Sequence, residues 1–424
     1  MSFTQGLSGL NAASKGLEVI GNNVANASTV GFKGSQAQFA DVFAASLGGA
    51  GVSQIGIGAK LATVAQQFTQ GNISVTNNKL DMAINGPGFF VMHGVNGTGY
   101  TRNGQFQLDK AGYIVSSTGQ NLQGWQGVNG VVATSGAASN LQIPTASITP
   151  TQTSTVTVGL NLDSRKAPPV GTFDPTIATT FTDSTSTTTY DSLGNTQVTS
   201  LYFVATDPTV TPNTWDVYTT VTDPKTGGYL YTNPQSVPPA DPGPGNWVSD
   251  GQLTFNTDGT FLASTLTPLA YNPPGATAQT VTFDFSSATQ FGAAFGVNAL
   301  VQDGNTSGSL SGFSVAKDGT IVGRYSNGLT RSLGLVALAT FPNNQGLQPL
   351  GDNVWAETGN SGAPVVGKPG AGINGVLQTA SVEDSNVDLT AELVNMITAQ
   401  RVYQANAQTI KTQDAVMQTL VNLR

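Results

Sequence analysis

The fold is decided by the C-terminal stretch DLTAELVNMITAQRVYQANAQTIKTQDAVMQTLV, residues 388–421. Mostly apolar residues recur in it at alternating steps of three and four, the spacing of one face of an α-helix. Asp388 can cap the first turn, and Glu392 lies in that turn, where a negative charge is favourable. The stretch predicts a helix roughly 50 Å long at 1.5 Å per residue. Its stripe consists of Leu389, Leu393, Met396, Gln400, Tyr403, Ala407, Ile410, Asp414, Met417 and Val421.

The N-terminal residues have the same period. Their stripe consists of Phe3, Leu7, Leu10, Ser14, Leu17, Gly21 and Val24, and we expect the helix to end near Gly21. Either stripe alone is also typical of an amphipathic helix docked on its own domain. Because nearly everything between the two ends has β character, these helices have only each other or other copies of the chain to pack against. We therefore expect a coiled-coil pair that becomes ordered on assembly.

Four positions in these stripes are polar or glycine, namely Ser14, Gly21, Gln400 and Asp414. Such residues add little apolar burial to a helix–helix seam. They favour packing that is shared among several subunits over one tight dimer.

The composition excludes several classes of function. Of the 424 residues only 9% are charged, and 16 basic against 24 acidic side chains give a net charge of −8. This balance provides no field that would attract nucleic acid or an anionic membrane. The absence of cysteine excludes disulfides, thiolate catalysis and cysteine metal sites. His93 is the single histidine, and we expect it to be an ordinary strand residue.

We expect neither a cleavable signal peptide nor a membrane-spanning segment. Residues 1–10 lack the apolar region of a cleavable signal peptide. The longest apolar stretch, residues 333–341, is shorter than the roughly 20 residues of a membrane span. We expect no membrane insertion, and export by a route that cleaves nothing.

The remaining sequence predicts a mainly β protein with α-helical termini and nested domains. Residues 1–30 with 380–424 form the terminal helical domain, and residues 31–75 an extended linker or arm. Residues 76–145 with 290–379 form an inner β domain, in which 312–335 reads as three strands joined by Asp-Gly and Asn-Gly turns. Residues 146–289, which are rich in threonine and contain a proline cluster at 237–244, form an outer β domain inserted into the inner one. Within it we predict strands over 196–205 and 253–264, in a sandwich or barrel.

One segment imitates a nucleotide-binding loop. Residues 362–369, GAPVVGKP, match the phosphate-loop spacing until Pro369, which has no hydroxyl for a magnesium ion. The rest of the sequence brings no general acid and base together. We therefore predict no catalytic, cofactor or metal site and no small-molecule substrate, so the chain is not expected to be an enzyme.

Three groups of motifs stand out near the chain ends and in the first β region. The first motif contains Asn22, Asn23, Asn26, Gly31, Phe32 and Lys33. The second group comprises residues 80–90 and 100–106. The third motif contains Gln400, Arg401, Tyr403 and Asn406. Together these residues resemble the family of bacterial flagellar axial proteins, which comprises rod and hook subunits.

The resemblance implies a structural role in the flagellum. The extra residues 146–289 are similar to the large outer insertion of hook subunits, which polymerise into a flexible hollow tube that transmits motor torque from rod to filament. In this architecture the terminal helices form an inner tube, and the two β domains follow outward. The implied partners are further copies of the chain, the rod, hook cap and hook-filament junction proteins, and the flagellar export apparatus. The implied location is extracellular, in the hook and basal body of the bacterial flagellum.

Two alternatives remain open at this point. Rod subunits share the same motifs, so a distal rod subunit is one of them. The threonine-rich insertion is also compatible with a secreted β-rich adhesin or glycan-binding module.

Overall fold

The structure, a computed structural model, describes residues 2–42, 56, 58–95, 97–231 and 246–422. Within these residues it has two α-helices, α1 (Ser2–Ala25) and α2 (Leu389–Asn422), and the rest is mainly β. The prediction of a mainly β chain with helical termini is confirmed. The proline cluster at 237–244 lies outside the described residues.

The two helix boundaries have different explanations. The Asp388 side chain caps α2, because its Oδ1 accepts hydrogen bonds from the backbone N–H of Thr390 (2.8 Å) and Ala391 (3.2 Å). Helix α1 continues past Gly21 to Ala25, so the predicted end was wrong by about one turn. A glycine inside a helix costs only about 1 kcal/mol, which the flanking helix-compatible residues offset.

The chain divides into two compact units. The first consists of Met1–Thr145, Ser311–Arg324 and Thr330–Arg424, and the second of Ala146–Leu310 and Tyr325–Leu329. The second unit continues beyond residue 289 to Leu310, and its strand pairing reaches Gln302. The predicted domain boundaries otherwise remain predictions.

The N-terminal part of the first unit contains α1 and eleven strands. The strands are β1 (Ser35–Val42), β2 (Gly58–Gln66), β3 (Ile73–Val75), β4 (Met82–Asn85), β5 (Phe89–Gly94), β6 (Gly97–Thr101), β7 (Phe106–Leu108), β8 (Ile114–Ser116), β9 (Asn121–Val128), β10 (Val131–Val132) and β11 (Ser139–Asn140). Strands β1 and β2 pair antiparallel, Ser35 opposite Gln66 and Val42 opposite Gly58. Part of the range predicted as an extended linker is thus a two-stranded ribbon.

The second unit contains ten strands. They are β12 (Thr155–Asn161), β13 (Asp183–Tyr190), β14 (Thr196–Ala205), β15 (Thr214–Thr222), β16 (Tyr229–Tyr231), β17 (Gly251–Phe255), β18 (Phe261–Ser264), β19 (Leu269–Tyr271), β20 (Gln279–Asp284) and β21 (Gly296–Gln302). The strand predicted over 196–205 is confirmed. The one predicted over 253–264 is two strands, because a turn with Gly259 at φ +83° separates β17 from β18.

Two sheets face each other in the second unit. Their orders are β13-β14-β15-β17-β18, with β16 beside β15, and β19-β20-β12-β21. Strand β21 pairs antiparallel with β12, which explains why residues beyond 289 belong to this unit. Leu160 of one sheet and Leu201, Phe203 and Val217 of the other are fully buried in one core, as in a sandwich.

The C-terminal part of the first unit contains nine strands and α2. The strands are β22 (Leu310–Val315), β23 (Thr320–Tyr325), β24 (Thr330–Val336), β25 (Leu338–Thr340), β26 (Gln348–Gly351), β27 (Val354–Ala356), β28 (Val365–Gly367), β29 (Val376–Thr379) and β30 (Ser381–Glu383). The three strands predicted over 312–335 are confirmed as β22, β23 and β24. A 3₁₀ turn, Asn344–Gly346, precedes β26.

The main sheet of the first unit runs in the order β22-β23-β24-β9-β5-β6-β27-β26. Its core is aromatic: Phe89 lies 5.7 Å from Trp355 and 5.9 Å from Phe341 between ring centroids, in edge-to-face geometry. Two small strand pairs, β3 with β30 and β4 with β29, join the C-terminal strands to the N-terminal part of the unit. The start of α2 is thereby held close to the end of α1.

Candidate assembly site at the chain termini

The two terminal helices pack against each other through small residues of α1. A methyl group at Gly9 would lie 2.7 Å from Asn406 Oδ1, and one at Gly6 would lie 3.1 Å from Ile410 Cγ1. Ala13, one turn further on, is buried. The face of α1 that meets α2 therefore consists of glycine and alanine, which permit a close approach of the helices.

The predicted stripe of α1 lies largely beside this face. Phe3 and Leu7 are 49% and 44% exposed. Leu10, Leu17 and Val24 are half-buried. Phe3 and Leu7 are thus the large apolar side chains of α1 that are most available for contacts outside the helix pair.

The predicted stripe of α2 is divided in the same way. Ile410 contacts α1, and Met396 is half-buried. The exposed apolar members of the stripe are Leu389, Leu393, Tyr403 and Met417. Val421 belongs to α2, but its side chain lies outside the described part of the structure.

An open groove of about 820 Å³ runs between α1, α2 and the base of the β1–β2 ribbon. Its walls carry small residues on both helices, including Ala12, Gly16, Ala391 and Ala399, together with Val402. The helix pair therefore presents both exposed large apolar side chains and a groove whose lining includes many small ones.

Asn23 of the first motif joins three elements at the base of the helices. Its side chain is almost fully buried. Its Nδ2 donates hydrogen bonds to Ser35 O (2.8 Å) and Glu392 Oε1 (3.1 Å), and its Oδ1 accepts one from Ser35 N (2.9 Å). A single amide thus connects the last turns of α1, the start of β1 and the first turn of α2.

The other residues of the first motif shape the turn after α1. Asn26 Nδ2 donates to Asn22 O at 3.0 Å, and Asn22 itself is exposed. Gly31 has φ +71°, and a methyl group there would lie 2.6 Å from Asn103 N. Only glycine fits this position without strain, because the backbone is left-handed and another chain segment is in contact. Phe32 is half-buried.

Lys33 ends the motif in a buried ion cluster. Its Nζ lies 2.6 Å from Glu383 Oε1, and Arg102 Nη1 lies 3.0 Å from Glu383 Oε2. The side chains of Lys33 and Glu383 are fully buried. Burial lowers the pKa of Lys33 and of Arg102 below their ordinary values, although the Glu383 carboxylate acts against this shift in both cases.

The sequence patterns point to Lys33 but assign no role to Glu383 or Arg102. A signal for Glu383 exists, since a carboxylate inside a short strand of a chain with 9% charged residues is unusual. The partner could not be read from the sequence, because Lys33 and Glu383 are 350 positions apart.

The C-terminal motif is divided between the helix pair and the surface. Asn406 contacts Gly9 of α1, and its Nδ2 donates to Val402 O at 3.0 Å. Gln400, Arg401 and Tyr403 are exposed on α2. The structure thus gives Asn406 a role inside the chain and leaves the other three at the surface.

Features that imitate a catalytic site have structural explanations. His93 is an exposed residue of β5, opposite Thr98 of β6. The phosphate-loop imitation forms β28 and a turn, followed by β29 rather than a helix. Among the described residues, no group of three or more His, Asp or Glu side chains could hold a metal ion. Neither described helix is sufficiently long and apolar to span a membrane.

Family models match the two ends and both β regions of the chain. Their descriptions are flagella basal body rod protein for residues 5–33, flagellar hook protein FlgE/F/G D1 domain for 83–161, flagellar basal body protein FlaE D2 domain for 161–305, and flagellar basal body rod FlgEFG protein C-terminal for 378–423. The terminal matches include both helices of the site described above.

Full-length relatives are similar over the whole chain. The flagellar hook protein FlgE of Escherichia coli (strain K12) is 40% identical over 434 residues, with 100% of both chains covered. That of Salmonella typhimurium is 40% identical over 430 residues, again covering 100% of both. That of Borreliella burgdorferi is 31% identical over 443 residues, covering 100% of this chain and 99% of the relative.

A solved structure is similar in fold. The crystal structure of the Helicobacter pylori flagellar hook protein FlgE2 matches with a TM-score of 0.55 at 15% identity, covering 73% of this chain and 100% of that one. At this identity the match supports the fold alone. The full-length relatives decide the family, and on their evidence the chain belongs to the flagellar hook protein family.

Proposed function

We propose that this chain, a structural subunit of the flagellar hook, polymerises through its terminal helices into a hollow, flexible tube that carries torque from rod to filament. The observation that supports this most strongly is the exposed apolar surface of both helices. Phe3 and Leu7 on α1, and Leu389 and Leu393 on α2, remain 44–49% exposed although the two helices pack against each other. Contiguous apolar surface of this kind usually marks an interaction site.

Different side chains of the two helices can serve the contact between α1 and α2 and the contacts with neighbouring copies of the chain. Small residues such as Gly6 and Gly9 make the contact inside the chain. The large residues are left for neighbouring copies, where burial of one Leu or Phe contributes roughly 1.5–3 kcal/mol if it is complete. The proposed assembly residues are Phe3, Leu7, Leu10, Leu17, Val24, Leu389, Leu393, Met396, Tyr403, Ile410, Met417 and Val421, of which Ile410 also makes the contact with Gly6 inside the chain.

Flexibility of the tube is assigned to the β domains. Only 9% of the residues are charged, so neighbouring domains can slide with few ion pairs to break. The glycine-rich connections, from a total of 51 glycines, allow the chain to bend between domains. The terminal helices then form the stiff inner tube of this flexible joint.

The remaining assignments follow from family membership. We propose the rod, hook cap and hook-filament junction proteins and the flagellar export apparatus as partners, and export without a cleaved signal peptide. We also propose that the chain has no enzymatic activity, in keeping with a structural family. The relatives, all named as hook proteins, favour neither the distal rod subunit nor the adhesin alternative.

Substitutions on α2 test the proposal. The double variant Leu389→Gln/Leu393→Gln should remain folded and monomeric but form no tubes in negative-stain images. The control is Ala405→Gln, an exposed position roughly 160° around the helix from Leu389 at 3.6 residues per turn. Tubes formed by the double variant at the same protein concentration as by the unaltered chain would contradict the proposal.

A further inference from the structure

The buried ion cluster joins five separate segments of the first unit. Besides Glu383, Lys33 Nζ donates to Thr69 O at 2.7 Å. Glu383 Oε1 also accepts from Gly71 N at 2.9 Å, and the Glu383 backbone O accepts from Gly31 N at 2.8 Å. Arg102 Nη2 donates to Gly86 O at 2.8 Å, at the end of β4.

The two positive charges of this cluster gain a counter-charge only when the C-terminal strand is in place. Lys33 and Arg102 are both cationic, and Glu383 is the carboxylate that contacts each of them. Strand β30, which carries Glu383, is 281 positions from Arg102 in the sequence. Until β30 docks, closing the unit would bury two neighbouring cations without a counter-charge, which is strongly unfavourable.

From this arrangement we infer that Lys33, Arg102 and Glu383 form a charge clamp. The segments that carry Lys33 and Arg102 pack together stably only when β30 has paired and brought Glu383 between them. The segment before β1, the end of β4 and the C-terminal strands then become ordered together. The clamp also fixes the bases of both terminal helices, because Lys33 lies between α1 and β1 and Glu383 lies six residues before α2. The two ends of the chain are thus coupled by folding before any contact with another copy.

Hydrogen exchange on the full chain, kept monomeric at low concentration, tests the clamp. The variant Glu383→Gln keeps the shape of the side chain but removes its charge. Exchange should accelerate by about tenfold or more at Gly31 and in β4 as well as in β30, because the three segments open together. Strand β14 of the second unit serves as the internal reference and should not change.

The adjacent carboxylate provides a matched control. Asp384 is half-buried and accepts a hydrogen bond from Ser74 Oγ. Asp384→Asn should leave exchange at Gly31 and in β4 within about twofold of the unaltered chain. The clamp is refuted if Glu383→Gln affects only residues near 383, or if Asp384→Asn has the same effect at Gly31 and β4.

A charge-free variant keeps the test decisive if Glu383→Gln does not fold. Lys33→Met/Arg102→Met/Glu383→Leu removes all three charges at similar volume, and such replacements of buried ion groups are often neutral or stabilising. It should fold and restore slow exchange at Gly31. If the triple variant is as unstable as Glu383→Gln, packing rather than the counter-charge of Glu383 holds these segments together, and the inference is wrong.

Discussion

Asn23 Nδ2 lies 3.1 Å from Glu392 Oε1, although the two residues are 369 positions apart in the chain. The same amide exchanges two hydrogen bonds with the backbone of Ser35. The base of the terminal helix pair is therefore fixed by polar contacts with the strand that follows α1. Further along, the pair is held by the close approach of Gly6 and Gly9 to α2.

Asn23→Ala should loosen this base. The change leaves the partly buried backbone groups of Ser35 and the Glu392 carboxylate without the amide. An unsatisfied polar group costs about 1–3 kcal/mol when it is fully buried, and less when it is partly exposed as here. We expect faster hydrogen exchange at Ser35 and in the first turn of α2.

The matched control is Asn22→Ala, an exposed neighbour on the same helix. It should alter exchange at these positions much less. Equal effects of the two substitutions would show that the bridge made by Asn23 does not stabilise the base.

Two glycines of α1 should respond to alanine in opposite directions. At Gly9 the added methyl group meets the Asn406 amide at 2.7–3.0 Å, so the helices must separate or Asn406 must move. At Gly21 nothing lies within 4 Å, so alanine should stabilise the helix by roughly 0.5–1 kcal/mol.

The critical concentration for tube formation, with helix content from circular dichroism, measures this difference. We expect Gly9→Ala to raise the critical concentration. We expect Gly21→Ala to increase helix content in the monomer. A Gly9→Ala chain with more helix and a lower critical concentration would show that the close contact is not formed.

The carboxyl of Asp163 in the second unit should titrate at very low pH. Arg165 donates to it from Nε and Nη2, both at 2.9 Å, and this bidentate contact lowers the pKa of Asp163 to about 2. Because the folded pKa lies below the unfolded value, the contribution to stability is present above about pH 4 and is lost as the pH falls through 2.

Carboxyl carbon shifts in an NMR titration measure this pKa. In Arg165→Ala the pKa of Asp163 should return toward its ordinary value. A midpoint near 4 in the unaltered protein would contradict the assignment.

Asp250 should be important for the stability of the second unit. Its carboxylate accepts hydrogen bonds from Thr219 N (2.6 Å), Thr219 Oγ1 (2.7 Å) and the Tyr231 hydroxyl (2.6 Å), all buried. Asp250→Ala should reduce the free energy of unfolding of this unit by about 3 kcal/mol, because several buried donors lose their acceptor.

Denaturant unfolding followed by the fluorescence of Trp215, which is buried in the same unit, measures this loss in a chain whose other three tryptophans are replaced by phenylalanine. The control is Asp258→Ala in the exposed turn between β17 and β18, which should cost less than Asp250→Ala. A change below about 1 kcal/mol for Asp250→Ala would mean that the hydrogen bonds contribute little net stability.

Local chemistry made much of this fold predictable. Asp388 marks the start of α2, and the Asp-Gly and Asn-Gly pairs mark the turns between β22, β23 and β24. The contact face of α1 was not predictable, because Gly6 and Gly9 carry no apolar signal and act only through the close approach they allow. The cluster around Glu383 was equally hidden, since its partners meet only after strands far apart in sequence have paired.

The central claim is that the exposed apolar stripe of the helices is buried between copies in the assembled tube. Because the chain has no cysteine, Leu393→Cys introduces a single thiol into that stripe. The variant is incorporated at a low fraction into tubes of unaltered chain, and its reaction rate with a maleimide is measured in tubes and in dilute monomer. Our account predicts a rate at least about tenfold slower in tubes, since a buried thiol reacts only on local opening. An equal rate in tubes and monomer would contradict it.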